Sequence, residues 1–161
     1  MKKKLIIFGS APCLESDLSQ IVRLDDYDFM AVGVDAICNY DGDVQFIVTN
    51  HLEDIPVIRE IKNETLIISY KDHPFVDWVE PSRPPSGSSA LTGALAALSM
   101  GYKKIILCGC PLTGNAPEGN PYEAFRPGWE ARKNELSGLV KSMSGWTKEL
   151  LGPPPEDWIN G

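Results

Sequence analysis

The sequence predicts a three-layer α/β domain, an open and mostly parallel sheet of five or six strands with helices on both faces. Three observations lead there. The apolar runs are short and continuous rather than alternating, as expected of strands covered on both sides. Those runs alternate with stretches of helical periodicity. Gly, Pro, Asn, Asp and Ser collect where each run ends, which marks the turns between elements.

Taken in order, Leu5-Ile6-Ile7-Phe8 is the first strand, broken by Gly9-Ser10-Ala11-Pro12. A helix follows from Leu14, with Leu14, Leu18, Ile21 and Val22 on one stripe. The second strand runs from Phe29 to Val34 and ends at Asp35; Asn39 to Asp43 is a turn-rich connection. Val44 to Val48 is the third strand, ending at Thr49-Asn50, and Pro56 opens a short helix through Ile61. Leu66 to Ser69 is the fourth strand. Residues 70–87 mix Tyr70, Phe75 and Trp78 with four prolines and read as a long irregular loop, a functional or covering flap. Ser88 to Met100 is the best helix, with Leu91, Ala94, Leu95 and Leu98 as its buried stripe and Gly101 as its stop. Lys104 to Cys108 is the fifth strand, followed by a Gly/Pro/Asn loop from Pro111 to Pro127 and a helix over Trp129 to Leu136. Leu139 to Met143 is a candidate last strand and Trp146 to Leu151 a short helix. Residues 1–152 thus form one domain, and 153–161 a proline-rich tail whose Trp158 plugs the protein's own surface or a neighbouring subunit's. A homo-oligomer stays open on that account.

Bulk composition narrows the function. A chain of 161 residues with 43% hydrophobic and 23% charged content is one globular domain. Its net charge of −7 argues against nucleic acid as partner, which calls for a basic face. No apolar run approaches the roughly 18 residues that a membrane span needs. Lys2-Lys3-Lys4 before a short apolar run resembles a signal peptide only briefly, since no cleavage site follows; a cytoplasmic protein is expected. Cys13, Cys38, Cys108 and Cys110, with His51 and His73 as the only histidines, lack zinc-site spacing, so reduced thiols and no resident metal are expected.

In an open parallel sheet, ligands bind beyond the carboxyl ends of the strands, near the point where strand order reverses. After the first strand, Gly9 allows a sharp turn and a close backbone approach, and the helix behind it offers unpaired N–H groups to a phosphate. An ordinary βα turn accounts for Gly9-Ser10-Ala11-Pro12 equally well. Ser86-Gly87-Ser88-Ser89 brings hydroxyls and N–H groups to the start of the strongest helix, where simple N-capping is the competing reading. Two such seats, with Asp35 and Asn50 at neighbouring strand ends, make a nucleotide pocket the expected site.

These segments carry a family resemblance. Gly9-Ser10-Ala11-Pro12-Cys13-Leu14 resembles the G-N-G-P-S-L opening of the bacterial sialyltransferases of glycosyltransferase family 42, shared with motility-accessory glycosyltransferases and archaeal hydroxymethylpterin pyrophosphokinases. Ser86-Gly87-Ser88-Ser89-Ala90, continuing through Met100-Gly101-Tyr102-Lys103-Lys104-Ile105-Ile106-Leu107-Cys108-Gly109, is similar to that group's T-S-G segment, helix and following strand. The resemblance implies a Rossmann-like, glycosyltransferase-like domain that binds a cytidine or other nucleotide-sugar donor through Gly9, Ser10, Asn50, Ser86 and Gly87. Asp35 stands where a second family asparagine would be, and Ser10 replaces the asparagine of G-N-G. Tyr122 resembles a tyrosine that steadies the departing phosphate, with packing on the core as the alternative. The general-base histidine expected after the fifth strand has no counterpart, which leaves Asp72, His73 or Glu123 as substitutes and a sialyltransferase proper unexpected.

Two alternatives accompany this reading. One is a non-catalytic relative that uses the pocket for sensing or assembly. The other is magnesium-dependent pyrophosphokinase-like phosphoryl transfer, with Asp35, Asp54 and Asp72 as candidate carboxylates. Arg126, Arg132 and Lys133 are candidates to neutralise phosphates, or members of a solvated face.

Overall fold

The computed structural model describes residues 2–62, 64–81, 88–115, 119 and 121–160. Among them seven strands form one sheet in the order β5-β4-β3-β2-β1-β6-β7. They are β1 (Lys4–Phe8), β2 (Tyr27–Val32), β3 (Phe46–Val48), β4 (Leu66–Ser69), β5 (Trp78–Val79), β6 (Lys104–Cys108) and β7 (Val140–Ser142). Every pairing is parallel, with Ile6 opposite both Phe29 and Ile106 in the middle of the sheet. This is the open α/β architecture expected, with one strand more at the edge.

The continuous apolar runs behave as a doubly covered sheet requires, because successive side chains alternate between faces. Leu5 and Ile7 join one core with Met30, Val48, Ile105 and Leu107. Ile6 and Phe8 join the other with Phe29, Ile47, Ile67 and Ile106. The first face is covered by α4 (Ser89–Ser99), α5 (Arg126–Ala131), α6 (Lys133–Leu136) and α7 (Gly145–Leu151). The second is covered by α1 (Leu14–Ser19), α2 (Gly33–Cys38), α3 (Ile55–Ile61) and α8 (Glu156–Asn160). From β1 to β5 the chain steps outward on one side; α4 then carries it back across the other face, so β6 lies on the far side of β1. Strand order therefore reverses between β1 and β6.

Several boundaries depart from expectation for local reasons. β2 stops at Val32 because Gly33 turns the chain at φ +81°, a conformation open to glycine; Asp35 therefore sits in the first turn of α2, not at a strand end. α1 closes at Ser19, so Val22 leaves the stripe and stands 70% exposed. β5 lies inside the stretch expected to be irregular. It is fixed by the Asp77 carboxylate, which accepts from the Ile67 N–H and the Arg59 guanidinium at 2.8 Å each. The helix expected over Trp129 to Leu136 is two short ones that meet at Arg132. Trp158 is buried in the second core and the Tyr27 hydroxyl donates to its carbonyl, so the tail docks on the protein's own surface. All four cysteines are free, and no described helix is long and apolar enough to cross a membrane.

Candidate ligand cavity at the strand-order switch

A cavity of about 480 Å³ opens at the carboxyl ends of the strands, over the gap between β1 and β6. Its floor is the loop after β1. Gly9, Ser10 and Ala11 line it, Gly9 N–H donates to the Cys108 carbonyl at 2.9 Å, and Leu14 N–H donates to Ala11. Gly9 is required by the neighbouring chain itself, since a Cβ there would stand 2.5 Å from the Gly109 carbonyl oxygen. With Ala11 N–H also turned to Gly109, few donors of this loop are left for an anion. The stronger seat is α4. Ser88 caps it through its hydroxyl, which accepts from Leu91 N–H and from the Trp129 indole. The first-turn N–H groups of Ser89 and Ala90 lack intrahelical acceptors, and both residues line the cavity.

The wall after β6 is held rigidly. Gly109 N–H donates to the buried Asp17 carboxylate at 2.9 Å, and Ser144 donates to the other oxygen of the same group. The Cys110 carbonyl accepts from Thr147 at 2.7 Å, and the Pro111 carbonyl from Trp146 N–H at 2.9 Å. Leu112, at φ +52°, is held in its left-handed conformation by Arg126, whose Nε and Nη2 both donate to its carbonyl at 3.2 and 2.9 Å. Arg126 also lies 5.1 Å over the Trp146 ring, and Arg132 pairs with Glu135 at 2.9 Å. Arg126 is thus part of the wall's scaffold. Burial pushes the Cys110 thiol up to about 12, with Cys13 adding to it, so this lining cysteine stays protonated. Tyr122 and Phe125 close the mouth from a 3₁₀ turn, their rings 6.2 Å apart.

The opposite side is acidic. Asp35 lines it from α2, and His51, Glu53 and Asp54 line it from the turn after β3. His51 Nδ1 lies 3.5 Å from the Glu53 carboxylate. Burial raises the Asp54 carboxyl, Glu53 and Asp35 raise it further, and His51 opposes them. No Lys or Arg lines the cavity among the described residues.

Of the residues singled out in the sequence, Gly9, Ser10, Ala11, Asp35, Asp54, Ser88, Ser89 and Tyr122 come together on this cavity. Ser86 and Gly87 lie outside the described residues. Pro12 is exposed beside the cavity and does not line it. Asn50 acts as a strut, its N–H donating to Ser89 Oγ at 2.9 Å and tying β3 to α4. His73 sits in the β4–β5 connection, its Nδ1 accepting from Phe75 N–H, and Asp72 is exposed there; neither lines the cavity. No group of three or more His, Cys, Asp or Glu side chains is arranged to hold a metal among the described residues. His51 and Glu53 carry no motif in the sequence; the one signal for them is the position of His51 directly after a strand-end asparagine.

No family model matches this sequence, and a search of curated proteins finds no match. The fold is similar to that of the sialyltransferase CstII from Campylobacter jejuni, solved with the substrate analogue cytidine-5′-monophosphate. That likeness has a TM-score of 0.61 and covers 99% of this chain and 88% of that one, at 15% identity. A structure of the sialyltransferase CST-II with a trisaccharide acceptor and CMP is similar at a TM-score of 0.59, covering 99% and 89% of the two chains at 15% identity. At such identities the likeness is one of fold.

Proposed function

We propose that the cavity binds a nucleotide or nucleotide sugar, cytidine nucleotides first among them, and that the chain is a glycosyltransferase-like protein. The observation that carries this reading is the convergence of the Gly9–Ala11 loop and the N-terminus of α4 on one cavity where strand order reverses. A phosphate is seated at the Ser89 and Ala90 N–H groups, where the helix dipole favours negative charge. Ser86 and Gly87 extend that seat in this reading, Ser10 borders it, and Asp35 accepts from ribose hydroxyls. Asn50 positions Ser89 through its backbone. The fold shared with CMP-bound sialyltransferase structures supports the choice of nucleotide.

Tyr122, at the mouth, is the candidate donor to a departing phosphate. His51, with Glu53 against Nδ1, is the one histidine on the cavity and takes the place of His73 as candidate acid–base group. A second reading, binding without turnover, is favoured by the wall after β6. Its titratable lining groups among the described residues are the Cys110 thiol, held protonated by burial, and the Tyr122 phenol, with no carboxylate or imidazole lining it.

Thermal shift against cytidine, uridine, guanosine and adenosine mono- and diphosphates tests the ligand class. Saturation at 100 times Kd adds about 2.7 kcal/mol of stability, a rise of roughly 5–10 °C for a chain of this size. Ser10→Trp, which adds bulk to the cavity lining from an exposed position, should abolish the rise without lowering the melting temperature of the free protein. No shift with any nucleotide refutes the reading. Donor hydrolysis by the purified protein, lost in His51→Ala, separates turnover from binding alone.

A further inference from the structure

Resting on that nucleotide reading, we infer that the cavity takes a ligand with one anionic end and one uncharged, hydroxyl-rich end, so that a donor sugar bearing its own carboxylate is rejected. The cavity's polar groups are segregated. Main-chain donors sit over β1 and α4, at Ser10, Ser89 and Ala90. The three carboxylates that line it among the described residues, Asp35, Glu53 and Asp54, sit over β2 and β3. His51 offsets at most one of them, and it stands against Glu53 at 3.5 Å. Among the described residues, the two cations nearest the mouth in sequence are committed elsewhere, Arg126 to the Leu112 carbonyl and Arg132 to Glu135.

Burial is the main cause of the raised Asp54 carboxyl; His51 opposes it, and Glu53 and Asp35 add to the rise, so like charges face one another on this side. A phosphate fits the donor end. Hydroxyl groups fit the other, because each carboxylate oxygen accepts from an O–H and neutral donors carry no Coulomb penalty. A second anion there meets like charge: at about 6 Å and an effective dielectric of about 40, each repulsion costs about tenfold in affinity. The class of ligand is therefore a nucleotide joined to a neutral hexose, in contrast to the carboxylate-bearing sugar that a sialyltransferase moves.

UDP-glucose and UDP-glucuronic acid differ by a single carboxylate and form the matched probe, with CDP-glucose against CMP-linked sialic acid as the cytidine pair. Calorimetric titration of the full chain at pH 8 and low salt should give at least tenfold tighter binding of the neutral member. Glu53→Gln with Asp54→Asn, which leaves Asp35 in place, should narrow that ratio by about tenfold or more, and 0.5 M salt should narrow it severalfold. Equal or tighter binding of the carboxylate-bearing member to the wild-type chain overturns the inference, as does a ratio unmoved by the double substitution. If none of these nucleotides binds, the nucleotide reading fails separately, and glucose 1-phosphate against glucuronic acid 1-phosphate decides the charge rule; failure of both to bind overturns that as well.

Discussion

Gly9 and Gly109 meet across the seam where the sheet changes direction; Gly9 has no room for a side chain, and a Cβ on Gly109, at φ +64°, would crowd Leu14 at 3.0 Å. A Cβ on Gly9 would press on a backbone carbonyl that cannot swing away without moving β6. Gly9→Ala is expected to cost about 1–3 kcal/mol in urea unfolding, the range of overpacked sites. Asp17 is the companion case. Its buried carboxylate accepts from Gly109 N–H and from Ser144, so Asp17→Asn removes the charge that strengthens both bonds and reverses the one to the Ser144 hydroxyl, which must turn to accept. A loss of about 2 kcal/mol follows, and nucleotide binding should weaken with it because the wall after β6 is released. Asp77 gives a pH signature. Burial alone would raise its carboxyl, but the Ile67 N–H and the Arg59 guanidinium outweigh that and hold it below the ordinary value of 3.8. A carboxylate lowered in the folded state stabilises the fold above its unfolded value and loses that contribution as pH falls through the folded one. Asp77→Asn should therefore destabilise at pH 7, by less than about 1 kcal/mol because the pair is partly exposed. The gap to wild type should shrink as pH drops below 3.8. Parallel urea titrations at pH 7 and pH 3 measure this.

Among the elements, α8 shows how a segment with little helical signal becomes structural. Five residues after three prolines form no stable helix alone. Packing supplies the difference: Trp158 enters the core beside Tyr27, and Val22 N–H donates to the Ile159 carbonyl at 2.9 Å. Trp158→Ala should cost about 3 kcal/mol or more, read by chemical unfolding, while leaving the cavity on the opposite rim intact. β5 is an element of the other kind, two residues long and exposed on both side chains. Its place depends on hydrogen bonds to β4 and on Asp77, with little burial behind it.

On the scale of the whole molecule, the cavity's dimensions are set by how closely α4 rides on the sheet. Gly93 makes that approach; a Cβ there would stand 2.8 Å from Met30 Sδ and 2.9 Å from Val48 Cγ1. Gly93→Val is expected to lift the helix, lower stability by about 1–3 kcal/mol, and weaken nucleotide binding, although Gly93 lies a full turn from the cavity lining. Titration calorimetry beside thermal unfolding checks both effects, and unchanged affinity in a destabilised variant would separate the helix's position from the ligand seat.

Patterning by itself determined the layers, because a run such as Leu5 to Phe8 can bury every side chain only between two helical faces. It also placed the strongest helix, whose cap and stripe are local properties, and pointed to strand ends as the ligand side. Tertiary structure decided the rest. The reason Gly9 is a glycine is the Gly109 carbonyl, a partner distant in sequence. The use of Arg126 as scaffold rather than phosphate clamp depended on a carbonyl presented by Leu112. The acidic side of the cavity required residues 35, 53 and 54 to meet across two strands. Local pattern reports what each segment prefers; which charges face one another across a cavity is fixed only when the sheet orders its strands.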